Sequence, residues 1–161
     1  HQQWVDSAVL SIVSAITTQA RKIKPSLIIS VDGHPIPAFL PSSPEGRNEV
    51  AWANAGLIDL IFTMDYSAKP EFELYDAIEK ELNDPHNLLM LLGNYEKVHG
   101  KITSRSANIL ARNIDYVRNR WKNGFGVYVY SLLNDEQIDA LHQSISEPPT
   151  PPTGIIIKNS N

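Results

Sequence analysis

Apolar positions along the chain alternate between two rhythms. Four stretches are apolar almost without interruption: 26–32 (SLIISVD), 57–66 (LIDLIFTMDY), 87–96 (NLLMLLGNYE) and 125–132 (FGVYVYSL). A strand half-exposed to water would alternate, so these runs predict parallel strands buried on both faces. Between them apolar residues recur at helical spacing. Val5, Val9, Ile12, Ile16 and Ile23 form one stripe ahead of the first strand, closed by Arg21, Lys22, Lys24 and Pro25. Phe72, Tyr75, Ile78 and Leu82 repeat the pattern after the second strand, up to Asn83-Asp84-Pro85. After the third, Ser104 is placed to cap a helix with Leu110, Ile114, Val117 and Trp121 facing inward and Asn123-Gly124 closing it. After the fourth, Asn134 or Asp135 is placed to cap a short helix carrying Ile138, Leu141 and Ile145. The segment after the first strand departs from the cycle: Pro35, Pro37, Pro41 and Pro44 impose a long extended loop before a short helix around 45–55.

One helix followed by four strand–helix units predicts an α/β fold. The reading is the second half of a parallel (β/α) barrel, strands five to eight, with a leading helix, over residues 1–146. A doubly wound, flavodoxin-like sheet is the competing arrangement, and it requires a strand order that reverses at a switch point. Residues 147–161 read as a Pro/Thr-rich linker (EPPTPPT) and a tail. A half-barrel leaves two open sheet edges, so self-association through the first and last strands is expected.

In such a fold the chemistry lies where the strands end. The first strand delivers Asp32, with Gly33 and His34 behind it; a carboxylate there suits hydroxyl binding or acid–base work, and a turn-forming Asp-Gly is the plainer reading. The second delivers Asp65 and Tyr66, whose side chains point to opposite sides, with a backbone cap and a packed ring as the structural alternative. The third delivers Gly93, Asn94, Tyr95 and Glu96; the glycine admits a close backbone or ligand, and Glu96 is either a reactive acid or one half of an exposed pair with Lys97. The fourth delivers Tyr128, Tyr130 and Ser131. Trp4, Trp52 and Trp121 are expected to pack helices against strands.

Composition narrows the classes without choosing among them. The 161 residues carry a net charge of −4 with scattered Lys and Arg, which gives no support to nucleic-acid or anionic-membrane binding. The absence of Cys excludes disulfides, thiolate zinc sites and Cys nucleophiles. His86, His99 and His142 lack metal-site spacing, no cofactor fingerprint is present, and no apolar run approaches the ~20 residues that span a bilayer. Neither a metal nor a cofactor is therefore expected.

Several of these segments together carry a resemblance. "KIKPSLIISVD", Trp52 followed by "AGLIDLIFTMDYS", "LLMLLGNYE" and "GFGVYVYSLL" resemble the C-terminal half of bacterial glycosyl-hydrolase-like, family 10-like barrels. The matching positions are Lys24-Pro25, Trp52, Gly56, Asp59, Tyr66, Gly93, Gly126, Tyr130 and Ser131. "TMDYS" stands where that family more often has "PQxY". The Met-x-Tyr end is also similar to the sixth strand of family 18 chitinase-like barrels, in which the Tyr contacts an acetamido group of the substrate. The resemblance implies a glycoside hydrolase acting on a polysaccharide, with cell-wall glycan the leading substrate class, in an exported or cell-envelope protein. Read together with the strand ends, it makes Asp32, Asp65 and Glu96 the candidates to position or activate groups, and His34, Tyr66, Asn94, Tyr95, Tyr130 and Ser131 the candidates to line a sugar site. In both families an essential acid comes from the fourth strand, which this sequence does not contain; the missing N-terminal half of the barrel is the implied partner, and the chain alone is expected to be inactive. A non-catalytic carbohydrate-binding or scaffold domain is the alternative.

Overall fold

A computed structural model of the chain describes residues 1–120 and 124–145. Trp121, Asn123 and the linker and tail at 147–161 lie outside the described residues, as does the proposed domain boundary at 146. The described residues form a four-stranded parallel sheet with helices between its strands. In chain order the elements are α1 (Gln2–Ile23), β1 (Ser30–Gly33), α2 (Glu49–Asn54), β2 (Leu60–Asp65), α3 (Phe72–Glu81), β3 (Leu88–Gly93), β4 (Tyr95–Val98), β5 (Lys101–Ser104), α4 (Ala107–Arg120), β6 (Phe125–Tyr128) and α5 (Asp135–Ser144). The sheet order is β1-β2-β3-β6, sequential and without the reversal that a doubly wound sheet requires. β4 and β5 form a separate antiparallel pair.

The described residues divide into two compact units, His1–Phe62 with Phe72–Leu88, and Thr63–Glu71 with those between 89 and 145. In the first unit, Trp52, Ile58, Ile61, Tyr75, Ile78 and Leu82 form the core. Asn48 caps α2 by accepting from the Ala51 N–H, and Gly56 ends it in the left-handed region at φ 68°, where a Cβ would be strained. Asp59 just ahead of β2 does structural work: its Oδ2 accepts from the Ile29 N–H at 2.7 Å and from Arg21 at 2.9 Å. The proline-rich loop after β1 is long, as its sequence predicts, and it is anchored. The Ala38 N–H donates to the Glu81 carboxylate, and Gln2 donates to the Ser43 carbonyl at 2.7 Å.

The helix α1 sits differently from its pattern. Thr17 is its buried residue, donating to the Leu57 carbonyl at 2.9 Å, and Arg21 reaches the Gly56 carbonyl. The later part of the apolar stripe is exposed, with Ile12, Ile16 and Ile23 at 60%, 61% and 87%, whereas Val5 and Val9 are part-buried. Trp4 is 73% exposed rather than packed between helix and strand, whereas Trp52 is buried as expected.

In the second unit, Met90, Leu92, Leu110, Ile114 and Val117 are buried, and α4 packs on α5. β3 and β6 pair in parallel from Met90↔Phe125 to Gly93↔Tyr128. Three local expectations change here. The strand expected over 125–132 stops at Tyr128, and a 3-10 turn takes Tyr130–Leu132. Residues after Asn94 turn into a hairpin whose two-residue turn, His99 at φ 49° and Gly100 at φ 81°, has the left-handed geometry that matches strand twist. Ser104, expected to cap a helix, instead ends β5 and donates to the Leu132 carbonyl at 2.7 Å. Asn134 does cap α5, accepting from the Gln137 N–H at 2.9 Å. No helix among the described residues is long and apolar enough to cross a membrane.

Candidate functional site

The C-terminal ends of β2, β3 and β6 bring three tyrosines together in the second unit. Tyr66 follows β2, Tyr95 follows β3 by two residues, and Tyr128 is the last residue of β6. The Tyr66 and Tyr128 rings stack with centroids 4.7 Å apart and planes within 14°. Tyr95 closes the group, 6.0 Å from Tyr66 and edge-on to Tyr128 at 6.2 Å. Offset stacks and edge-to-face contacts at these separations are the favoured arrangements of aromatic quadrupoles. Tyr128 remains 45% exposed, so the group presents a ring to solvent.

Gly93 makes this approach feasible. A Cβ there would lie 2.7 Å from the Tyr66 carbonyl oxygen and 2.8 Å from the Tyr66 Cβ, so any side chain would push the β2 end away from β3. The sequence expectation of a close-approach glycine therefore acquires a specific neighbour, the tyrosine of the adjacent strand.

Beneath the rings lies a buried polar network. Asn94 is fully buried. Its backbone N–H donates to the Tyr128 carbonyl at 2.8 Å, its Nδ2 donates to the Val129 carbonyl at 3.0 Å, and its Oδ1 accepts from the Val129 N–H. It thus holds both sides of the Tyr128-Val129 peptide, which is cis. Gln137 from α5 donates through Nε2 to the carbonyls of Asn94 at 2.8 Å and Arg105 at 2.7 Å. Arg105, 4% exposed, donates to the carbonyls of Gly93 at 2.6 Å, Tyr66 at 2.8 Å and Ser67 at 2.9 Å. Burial pulls its guanidinium below the ordinary arginine range, while the charges of Glu96, Tyr95 and Asp65 oppose that shift.

The residues expected to form a site fall into two groups. Asp65, Tyr66, Asn94, Tyr95, Glu96, Tyr130 and Ser131 belong to the second unit, and Asp32 and His34 to the first. The Asp65 carboxylate accepts from the Ser67 N–H at 3.1 Å and the Glu71 N–H at 2.9 Å, folding its own loop in an Asx turn. Glu96 lies half-buried at the base of the hairpin, opposite Thr103. Tyr130 is 86% exposed on the 3-10 turn, and the ring in the aromatic group is Tyr128. In the first unit, Asp32 and His34 are exposed. The Asp32 carbonyl accepts from Arg47 at 2.7 Å, and Arg47 pairs at 2.6 Å with Glu49, whose side chain is 1% exposed. Among the described residues no group of three or more His, Asp or Glu is gathered to hold a metal ion.

Arg105, Gln137 and Glu49 carried no signal in the sequence reading. Arg105 follows a hairpin that has no sequence signal, and Gln137 occupies an ordinary helix position; only the fold shows that both are buried. The one available clue was Asn134, whose cap three residues ahead places Gln137 in the first turn of α5.

Comparisons with known proteins agree on the fold. No family model matches the chain, and no curated protein does. The family 10-like assignment thus gains no support beyond its short motifs. Among solved structures, a chitinase from Chromobacterium violaceum aligns with a TM-score of 0.61 at 12% identity, over 84% of this chain and 60% of that one. The spore cortex-lytic enzyme SleL from Bacillus megaterium aligns with a TM-score of 0.63 at 12% identity, over 86% of this chain and 45% of that one. The chain therefore spans between about half and three-fifths of the length of these neighbours. At this identity the likeness carries the architecture: a parallel α/β arrangement shared with part of two larger enzymes.

Proposed function

We propose that this chain contributes the sugar-binding wall of a glycoside-hydrolase-like barrel acting on a polysaccharide, with cell-wall glycan the favoured class. The observation that carries this reading is the tyrosine group at the C-terminal strand ends. Aromatic faces in a concave setting with a few polar groups are what a sugar ring requires, because its C–H face stacks while its hydroxyls find hydrogen bonds. The fold shared with a chitinase and a cortex-lytic enzyme supports it. In this reading Tyr66, Tyr95 and Tyr128 hold the sugar. Glu96, which follows Tyr95 in β4, is the candidate acid. Asp65 acts by fixing the loop after Tyr66, since both of its oxygens accept backbone N–H groups. Tyr130 and Ser131 are secondary contacts on the following turn.

That same commitment of Asp65 favours the second reading, a carbohydrate-binding domain without hydrolysis. The two separate experimentally. Soluble N-acetylglucosamine oligomers and cell-wall glycan fragments, titrated against the chain, should bind in both readings, and Tyr128→Ala should lose most of that affinity. In a complete barrel carrying these residues, Glu96→Gln should lower turnover by roughly tenfold or more, as loss of a member of a catalytic pair does, with thermal stability nearly unchanged. Unchanged turnover leaves the binding domain as the reading, and wild-type affinity in Tyr128→Ala removes both.

A further inference from the structure

Arg105 is a cation in the most expensive kind of place, and nothing proposed above uses it. Its residue is 4% exposed, its Nε has no hydrogen-bond partner, and the three hydrogen bonds of its Nη atoms go to main-chain carbonyls rather than to a carboxylate. A buried guanidinium with an orphaned N–H is costly, and a core that needed only filling would use an apolar residue. Its fork is therefore best explained by what it joins. Nη1 donates to Gly93 at the end of β3 and to Ser67 after β2, and Nη2 donates to Tyr66 itself.

The same residue is tied in through its own backbone. Its N–H donates to the Asn94 carbonyl at 2.8 Å, and its carbonyl accepts from Gln137 at 2.7 Å. Asn94 in turn holds the Tyr128-Val129 peptide from both sides, its N–H donating to the Tyr128 carbonyl and its Oδ1 accepting from the Val129 N–H. The chain of contacts thus runs from the Tyr66 main chain through Arg105 and Asn94 to Tyr128. These are the two rings that stack at 4.7 Å.

We propose that Arg105, braced by Gln137, is a positioning residue that sets the spacing of the Tyr66–Tyr128 stack and so presents the sugar-binding face. The proposal rests on the glycan reading for its ligand but not for its geometry. The planar fork is required because two carbonyls on one strand end and one on the next must be met at fixed angles; a lysine ammonium on a flexible stem brings charge without that shape. Glu96 and Asp65 are the carboxylates whose fields reach the guanidinium, and their negative charge helps keep it a cation.

Arg105→Lys tests this, with two quantities read on the same sample. The first is the ring-current shift of the Tyr66 and Tyr128 aromatic resonances, which reports the stack without any sugar. The second is the affinity for an N-acetylglucosamine tetramer. The expected result is a chain that still folds with a lowered melting temperature, because carbonyls lose their donors, together with loss of the ring-current shift and roughly tenfold weaker binding, equivalent to about 1.4 kcal/mol. Retention of the shift in Arg105→Lys overturns the proposal whatever the affinity, and so does loss of the shift with wild-type affinity. If wild type binds no oligosaccharide while the variant loses the shift, the glycan reading falls, and with it the assignment of a sugar-presenting role. Should Arg105→Lys fail to fold, Gln137→Met removes the brace while sparing the guanidinium. It is expected to move both quantities in the same direction by a smaller amount, and unchanged values in it overturn the proposal equally.

Discussion

Gly93 is the position at which a single methyl group would reach furthest. A Cβ there meets the Tyr66 main chain at 2.7–2.9 Å, and backbone on a paired strand has little room to yield. Gly93→Ala should cost about 1–3 kcal/mol, as overpacked sites do, and should also separate the Tyr66 and Tyr128 rings. Denaturant unfolding measures the first and tyrosine near-ultraviolet circular dichroism the second. Asp84 supplies a pH-dependent case. Its carboxylate accepts the His86 backbone N–H at 2.9 Å, which holds its pKa below the ordinary 3.8. A carboxyl group with a lowered folded-state pKa stabilises above its unfolded value, and that contribution disappears as pH falls through the folded one. Asp84→Asn should therefore flatten the loss of stability below about pH 3.8, a small effect because the side chain is largely exposed. At this scale the sequence located Tyr66, Asn94 and Tyr95 at strand ends, since each follows directly from an apolar run. It puts Tyr128 and Tyr130 on one face of a strand running to Leu132 and takes Tyr130 for the site; the strand ends at Tyr128 instead, and the 3-10 turn leaves Tyr130 86% exposed.

At the scale of elements, α5 depends on one side chain. Asn134 supplies the acceptor for the Gln137 N–H, and Gln137 braces Asn94 and Arg105. Asn134→Ala should lower stability by about 1 kcal/mol through the lost cap, and thermal melting should show it. The cap was legible because Asn and Asp ahead of an apolar helical repeat have few other roles. The β4–β5 hairpin was not legible. Its strands are four residues each, carry Lys97 and Lys101 among few apolar positions, and turn at His99-Gly100 without the usual Asn-Gly or Asp-Gly signal. The stripe of α1 illustrates the opposite error. Its periodicity correctly predicts a helix over Gln2–Ile23, yet the face that packs is the one bearing Thr17 and Arg21.

Over the whole molecule, the exposed apolar surface of α1 and the outer positions of β1 and β6 in the sheet leave groups that water solvates poorly. The chain by itself is expected to self-associate, and sedimentation should show species larger than a monomer that grow with concentration. Ile12→Gln together with Ile16→Gln should shift the distribution towards smaller species without lowering the melting temperature. A sharp wild-type monomer at high concentration would contradict this. The sequence by itself determined the class of fold and the sequence of elements, because unbroken apolar runs and helical periodicity are local consequences of burial on two faces or one. It determined the strand-end neighbourhood of the tyrosines for the same reason. Only the tertiary structure decided which tyrosine stacks, that Asp65 folds its own loop, and that Arg105 and Gln137 lie beneath the rings. Those outcomes depend on which distant backbone carbonyls come within about 3 Å of a donor, a distance set by the packing of β2, β3, β6 and α5 in three dimensions and carried by no periodicity in the chain.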